Sequence, residues 1–135
     1  MPEFSVAVLA DSAIVARDGK ISLIGIFRNM MLRKVPSVYP KFTVGAIITQ
    51  VDRPISIALE VMDLKENTVL AKLPPAQFKP PRIGEDLQMV VELVDLPFKT
   101  FGKHEVRILV DGKVAKFIPF SVRPVVVPVV QQPLA

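Results

Sequence analysis

Apolar and polar positions alternate with a period of two along much of this chain. Phe42, Val44, Ala46 and Ile48 alternate with Thr43, Gly45, Ile47 and Thr49. Ile55, Ile57, Leu59 and Val61 do so with Ser56, Ala58, Glu60 and Met62, and Leu87, Met89, Val91 and Leu93 with Gln88, Val90, Glu92 and Val94. A period of two places every second side chain on one face, so each run predicts a strand with one face on a core. No window sustains a 3.6-residue apolar period, and little or no helix is expected. Two further pairs of apolar runs flank Asp-Gly turns. Val6 to Ala16 and Ile21 to Phe27 enclose Arg17-Asp18-Gly19-Lys20, and Val106 to Val110 and Val114 to Val122 enclose Asp111-Gly112. Asp-Gly can take positive φ at both central positions, so each predicts a hairpin with a two-residue type I′ turn. The first hairpin is expected to be buried.

Prolines and short polar clusters punctuate these strands. Pro36 and Pro40 remove ladder donors four residues apart, which predicts a crossing between sheets. Asp52-Arg53-Pro54 predicts a turn, and so does Lys65 to Thr68, with Asn67 left-handed. Val69 to Leu73 predicts a short strand. Pro74 to Gly84 contains four prolines and is expected to be a stiff, polyproline-like connection. Asp95 to Gly102 predicts another turn. Seven to nine short strands predict an all-β fold, an antiparallel β-sandwich of immunoglobulin-like or jelly-roll type, formed by residues 1–122.

Residues 123–135 change character, with five valines and three prolines. Such a segment is extended and apolar, and it cannot pair continuously on the side its prolines occupy. It is expected to lie as an edge strand on its own domain or to add to the sheet edge of a second copy or another protein. Val125, Val126, Val127, Val129 and Val130 are its candidate partner-binding residues.

The 135 residues carry a formal charge of +4. Arg33-Lys34 is the single adjacent basic pair, and elsewhere basic and acidic residues mix. A nucleic-acid surface concentrates positive charge on one face, so nucleic acid is not an expected partner. The chain has no cysteine, which excludes disulfides and thiolate metal sites. The start, Met-Pro-Glu-Phe, lacks the basic region of a signal peptide, and no apolar run approaches the ~20 residues of a membrane span. A soluble, cytoplasmic protein is expected.

Candidate chemistry is sparse. His104 is the one histidine, and it opens the penultimate strand, where sandwiches place an aromatic residue whose polar tip caps a corner. Corner packing is preferred to a hydrolase-like role with a carboxylate. Glu60 and Asp63 differ in strand parity, and Glu85-Asp86 lack the dense Asp/Asn spacing of calcium loops. The six glycines match no phosphate-binding fingerprint. No catalytic residue, cofactor or metal is therefore assigned. Tyr39, Phe78, Phe98 and Phe101 form the alternative, an aromatic patch for a sugar or small molecule.

Leu9-Ala10-Asp11-Ser12-Ala13, then Asp18-Gly19-Lys20 running to Ile24-Gly25-Ile26-Phe27, the Pro36 to Pro40 crossing and the Gly102 to Gly112 closing strand resemble a bacterial family known only as a domain of unknown function. The resemblance covers nearly the whole chain except the valine-rich tail. It implies a small β-sandwich and brings no activity or site residues. The expected function is a non-enzymatic interaction or assembly module, self-associating or docking a protein through strand edges and the tail.

Overall fold

The computed structural model describes residues 2–126, so Val127, Val129 and Val130 lie outside the described residues. Nine strands and no helix occur among the described residues. They are β1 (Glu3–Val15), β2 (Ile21–Phe27), β3 (Asn29–Leu32), β4 (Ser37–Thr49), β5 (Ile55–Asp63), β6 (Thr68–Phe78), β7 (Leu87–Phe98), β8 (Gly102–Val110) and β9 (Lys113–Pro124). One sheet has the order β2-β1-β4-β7 and the other β3-β9-β8-β5-β6. Every pairing is antiparallel except β3 with β9, which is parallel. The expectation of a wholly antiparallel fold is corrected at that edge.

The predicted alternation builds the core. Phe42, Val44, Ala46 and Ile48 of β4 and Ile55, Ile57, Leu59 and Val61 of β5 are all buried, together with Leu87, Met89 and Leu93 of β7 and Val106 and Ile108 of β8. They belong to one apolar cluster spanning both sheets. At its centre Phe42 packs edge-on against Tyr39 and Phe27 and lies 6.3 Å from Phe120. Truncating such a side chain costs about 3–5 kcal/mol.

Turn chemistry decides the connections. Asp111 and Gly112 both have positive φ, 51° and 84°, as a type I′ turn requires. Asp111 also accepts hydrogen bonds from the Ser56 N–H and the Arg53 guanidinium, which hold its carboxyl below the ordinary range and tie the hairpin to the start of β5. The first Asp-Gly turn differs from expectation. Gly19 alone is left-handed there, and Ala16 and Lys20 close a three-residue loop. The Asp18 carboxylate accepts the Lys20 N–H, so aspartate serves as a local acceptor instead of as the first residue of a type I′ turn. Asn67 is left-handed with φ 53°, as predicted.

Two predicted breaks are instead strand. β6 continues through Pro74 and Pro75 to Phe78, because it is an edge strand with β5 on one side only. β7 continues through Asp95 to Phe98, with a local irregularity at Asp95, φ 51°. The chain crosses from β3 in one sheet to β4 in the other at Pro36, as expected, but Pro40, read as the far end of the crossing, lies within β4.

The first hairpin is not a buried pillar. β1 pairs with β4 from Glu3 to Ala10, and its later half pairs only with β2. If β1 ran straight past the Ala10 to Thr43 pair, the hairpin tip would leave the sheet at the Thr43 end. Instead Leu23 lies against Gly45, Ser12 and Ala13 face Thr43, Val90 and Glu92, and the tip at Asp18 to Lys20 stands beside Leu87 and Gln88. The outer half of the hairpin is therefore folded back over the outer face of its own sheet. Gly45 leaves room for Leu23 beneath it, and the cover accounts for the burial of Ala10 and Thr43 on that face. Ile14 and Ile24 are left exposed on the folded arm.

The bend lies at Asp11 and Gly25. Gly25 has φ +70°, and the Asp11 side chain occupies the space where a Cβ at position 25 would stand. Gly25→Ala is expected to lower stability by about 1–3 kcal/mol, through positive φ and the contact with Asp11. Urea denaturation of Gly25→Ala and of Asp11→Ala/Gly25→Ala checks this. The double variant is expected to recover the steric part and keep the conformational part.

Candidate interaction site at the open strand edges

After Phe27 the chain leaves β1. The Arg28 carbonyl accepts the Ser121 N–H of β9, so the next residues extend the other sheet as β3. This step leaves two half-strands open. On the side away from β4, β1 pairs with β2 only from Leu9 onward, so Glu3 to Val8 has no strand partner there among the described residues. On the side away from β8, β9 pairs with β3 only from Ser121 to Pro124, so Lys113 to Phe120 has none among the described residues. The two free edges flank one groove of about 310 Å³, lined by Ala7, Val8, Leu9, Ile26, Phe27, Arg28 and Lys116 to Pro119.

The groove is a cleft between two strand edges. Its walls combine apolar side chains with Arg28 and Lys116, and Ile26 and Phe117 are more than half exposed, at 59% and 53%. The Arg107 guanidinium stands 5.7 Å from the Phe117 ring centre. Exposed edges are usually blunted by proline, charge or irregular backbone. β6 carries Pro74 and Pro75, and β7 carries Asp95 and Pro97. Glu3 to Val8 carries a single charge, Glu3, and no proline, with one bulge at Ser5 on the β4 side.

Only part of the predicted docking segment is described. β9 runs to Pro124, past the expected domain end at residue 122, and the Val125 N–H donates to the Leu32 carbonyl. Val126 is 76% exposed. The first residues of the tail thus begin as an edge strand beside β3.

The four candidate ligand aromatics are not brought together. Phe98, at the end of β7, is fully buried between His104 and Phe120. Tyr39, in β4, packs on Phe42; burial and then the nearby Asp11 carboxylate push its phenol up. Phe101 is half-buried in the turn before β8, and Phe78 pairs with Ile55 at the opposite end of β5 from Asp63 and His104. All four pack with the core cluster.

His104 is fully buried, packed edge-on to Phe98 at 5.4 Å, with its Nδ1 2.9 Å from the Gly102 carbonyl. Its Nε2 lies 3.9 Å from Asp63 Oδ2 and has no hydrogen-bond partner. Sequence reasoning weighed Asp63 only as a partner of Glu60 and set it aside on strand parity. It is fully buried and accepts the Lys65 and Glu66 N–H groups at Oδ1 and the Thr100 hydroxyl at Oδ2. Asp63-Leu64-Lys65-Glu66 is a legible signal for an aspartate capping its own turn. Asp63 and Thr100 join the β5-β6 turn to the β7-β8 corner, with His104 between the aromatic core and the carboxylate.

Burial pushes the Asp63 carboxyl up, but the Glu66 N–H, the Thr100 hydroxyl, His104 and the Lys65 N–H together outweigh it and hold the group below the ordinary aspartate range. A carboxyl depressed in the folded state stabilises the fold above its unfolded pKa and loses that contribution as pH falls through the folded value. Asp63→Asn is expected to cost about 1.5–3 kcal/mol at neutral pH and to flatten the loss of stability below about pH 4. Urea titrations at neutral and acid pH measure both.

Comparison with curated proteins finds no match. Among solved structures, an alkylpurine DNA glycosylase from Pseudomonas fluorescens, bound to DNA containing an abasic site analog, is similar over 87% of this chain and 31% of its own, with TM-score 0.50 and 11% sequence identity. A β-glucosidase from Listeria innocua, in complex with glucose, matches 91% of this chain and 16% of its own, with TM-score 0.49 and 10% identity. The chain spans less than a third of either protein. At such identity the glycosylase shares a fold with this chain and nothing more. The model of a family described as a "Family of unknown function (DUF6941)" matches residues 5–123, which include the bend, the crossover and both hairpins, and the chain belongs to that family.

Proposed function

We propose that this chain is a non-enzymatic interaction module that takes an extended protein segment as an added strand in the groove between β1 and β9. The observation that carries this reading is the meeting of two backbone edges unpaired among the described residues, Glu3 to Val8 and Lys113 to Phe120, across one groove. Main-chain hydrogen bonds to β1 supply affinity that is tolerant of sequence. The apolar side chains of the walls select segments with hydrophobic side chains. An order of β1-β4-β7 in one sheet and β9-β8-β5-β6 in the other supports a sandwich of immunoglobulin-like kind.

A peptide library selected on the full chain tests this reading. Selected peptides are expected to be extended and apolar. Their affinity, followed by fluorescence anisotropy, is expected to fall at least tenfold, about 1.4 kcal/mol, in Phe117→Asp or Ile26→Asp. It is expected to stay unchanged in Ile83→Asp, which lies on the connection between β6 and β7 and is 87% exposed. Peptides that bind all three variants equally, or no binders at all, overturn it.

A further inference from the structure

We infer that the segment filling this groove is the Val/Pro-rich stretch from Val126 to Val130 of a second copy of this chain. The inference rests on the proposed strand-adding role and names its partner.

Hydrogen-bonding directions along the stretch are set by its prolines. In an extended strand the N–H and C=O of successive residues point to opposite sides. Pro124 and Pro128 fall on the same side, so that side lacks two donors four residues apart. The other side, with Val125, Val127 and Val129, keeps all of its donors. Val125 shows this polarity directly, because its N–H faces β3 and donates to Leu32. The stretch is therefore able to pair fully along one edge and is blunted along the other, as suits a strand that joins a single free edge such as β1.

Its side chains match the groove as well. In an extended strand Val127 and Val129 would share one face and Val126, Pro128 and Val130 the other, so both faces would be apolar. A strand apolar on both faces belongs where both are covered. The groove offers apolar contacts on two levels, Leu9 and Ile118 toward the core and Ile26 and Phe117 toward the outside.

Chain length argues against the same copy as donor. β9 passes the groove at Lys116 to Pro119 and continues beyond it, and Val125 is held beside Leu32. From Val126 the chain would have to return past Pro119, seven residues back and roughly 23 Å in extended form. Val130 lies only four residues on, roughly 13 Å, before any residues are spent on reversing direction. A second copy meets no such limit. Because groove and tail are different surfaces, the contact is heterologous, closing as a reciprocal pair or continuing from copy to copy.

Complementation between two full-length variants tests the inference by sedimentation. Phe117→Asp spoils the groove and leaves the tail, while Val127→Asp/Val129→Asp spoils the tail and leaves the groove. The unaltered chain is expected to gain mass with concentration, each variant to stay monomeric, and their equimolar mixture to form a 1:1 dimer. Ile26→Asp is expected to replace Phe117→Asp in the same role, and circular dichroism confirms that all variants fold. A tail variant that self-associates like the unaltered chain, or an unaltered chain monomeric at every concentration, overturns the inference. If that monomeric chain still binds selected apolar peptides in a Phe117-dependent way, only the partner is wrong. If it binds none, the strand-adding role falls with it.

Discussion

Backbone groups along a strand need partners, and at Arg28 this chain satisfies them in a different sheet from the one it has just left. The Arg28 carbonyl takes the Ser121 N–H, β3 aligns in parallel beside β9, and the place beside the first half of β1 is vacated. The same half-strand cannot be covered by the second half of the hairpin, because β1 bends at Asp11 and Gly25 and carries β2 back over the sheet. The open groove and the folded arm are thus two results of one decision about where the residues from β2 to β3 pair.

The arm depends on small groups and local conformation. Gly45 admits Leu23, and Gly25 admits both a left-handed backbone and the Asp11 side chain. The residues that carried the family resemblance, Leu9 to Ala13 and Ile24 to Phe27, meet at this bend. Their shared role is geometric. At the far corner, Asp63, Thr100 and His104 perform a similar service through hydrogen bonds and ring packing, holding the β5-β6 turn against the start of β8.

Much of this architecture was legible in the chain. Period-two alternation marked β4, β5 and β7, and local turn chemistry marked Asn67 and Asp111-Gly112, because each is fixed by nearest neighbours. Pro74 to Phe78 read as a connection because proline argues against a strand, and nothing local reveals that the strand lies at an edge. Parallel pairing of β3 with β9 joins residues about ninety positions apart, and the folded arm depends on Leu23 meeting Gly45 across the sheet. The valine tail reads as an expected edge strand, of which Val125, in its described part, is held beside Leu32. The groove was not legible, since a cleft between β1 and β9 exists only once both sheets are assembled.

Hydrogen exchange along β1 tests the central claim most directly. Within Glu3 to Val8, amides directed toward β4 are expected to be protected at any protein concentration. The intervening amides, directed into the groove, are expected to exchange freely in dilute protein and to become protected as concentration rises. If those intervening amides are already protected in dilute protein, the edge is not open. If they remain unprotected while the chain associates, association uses another surface.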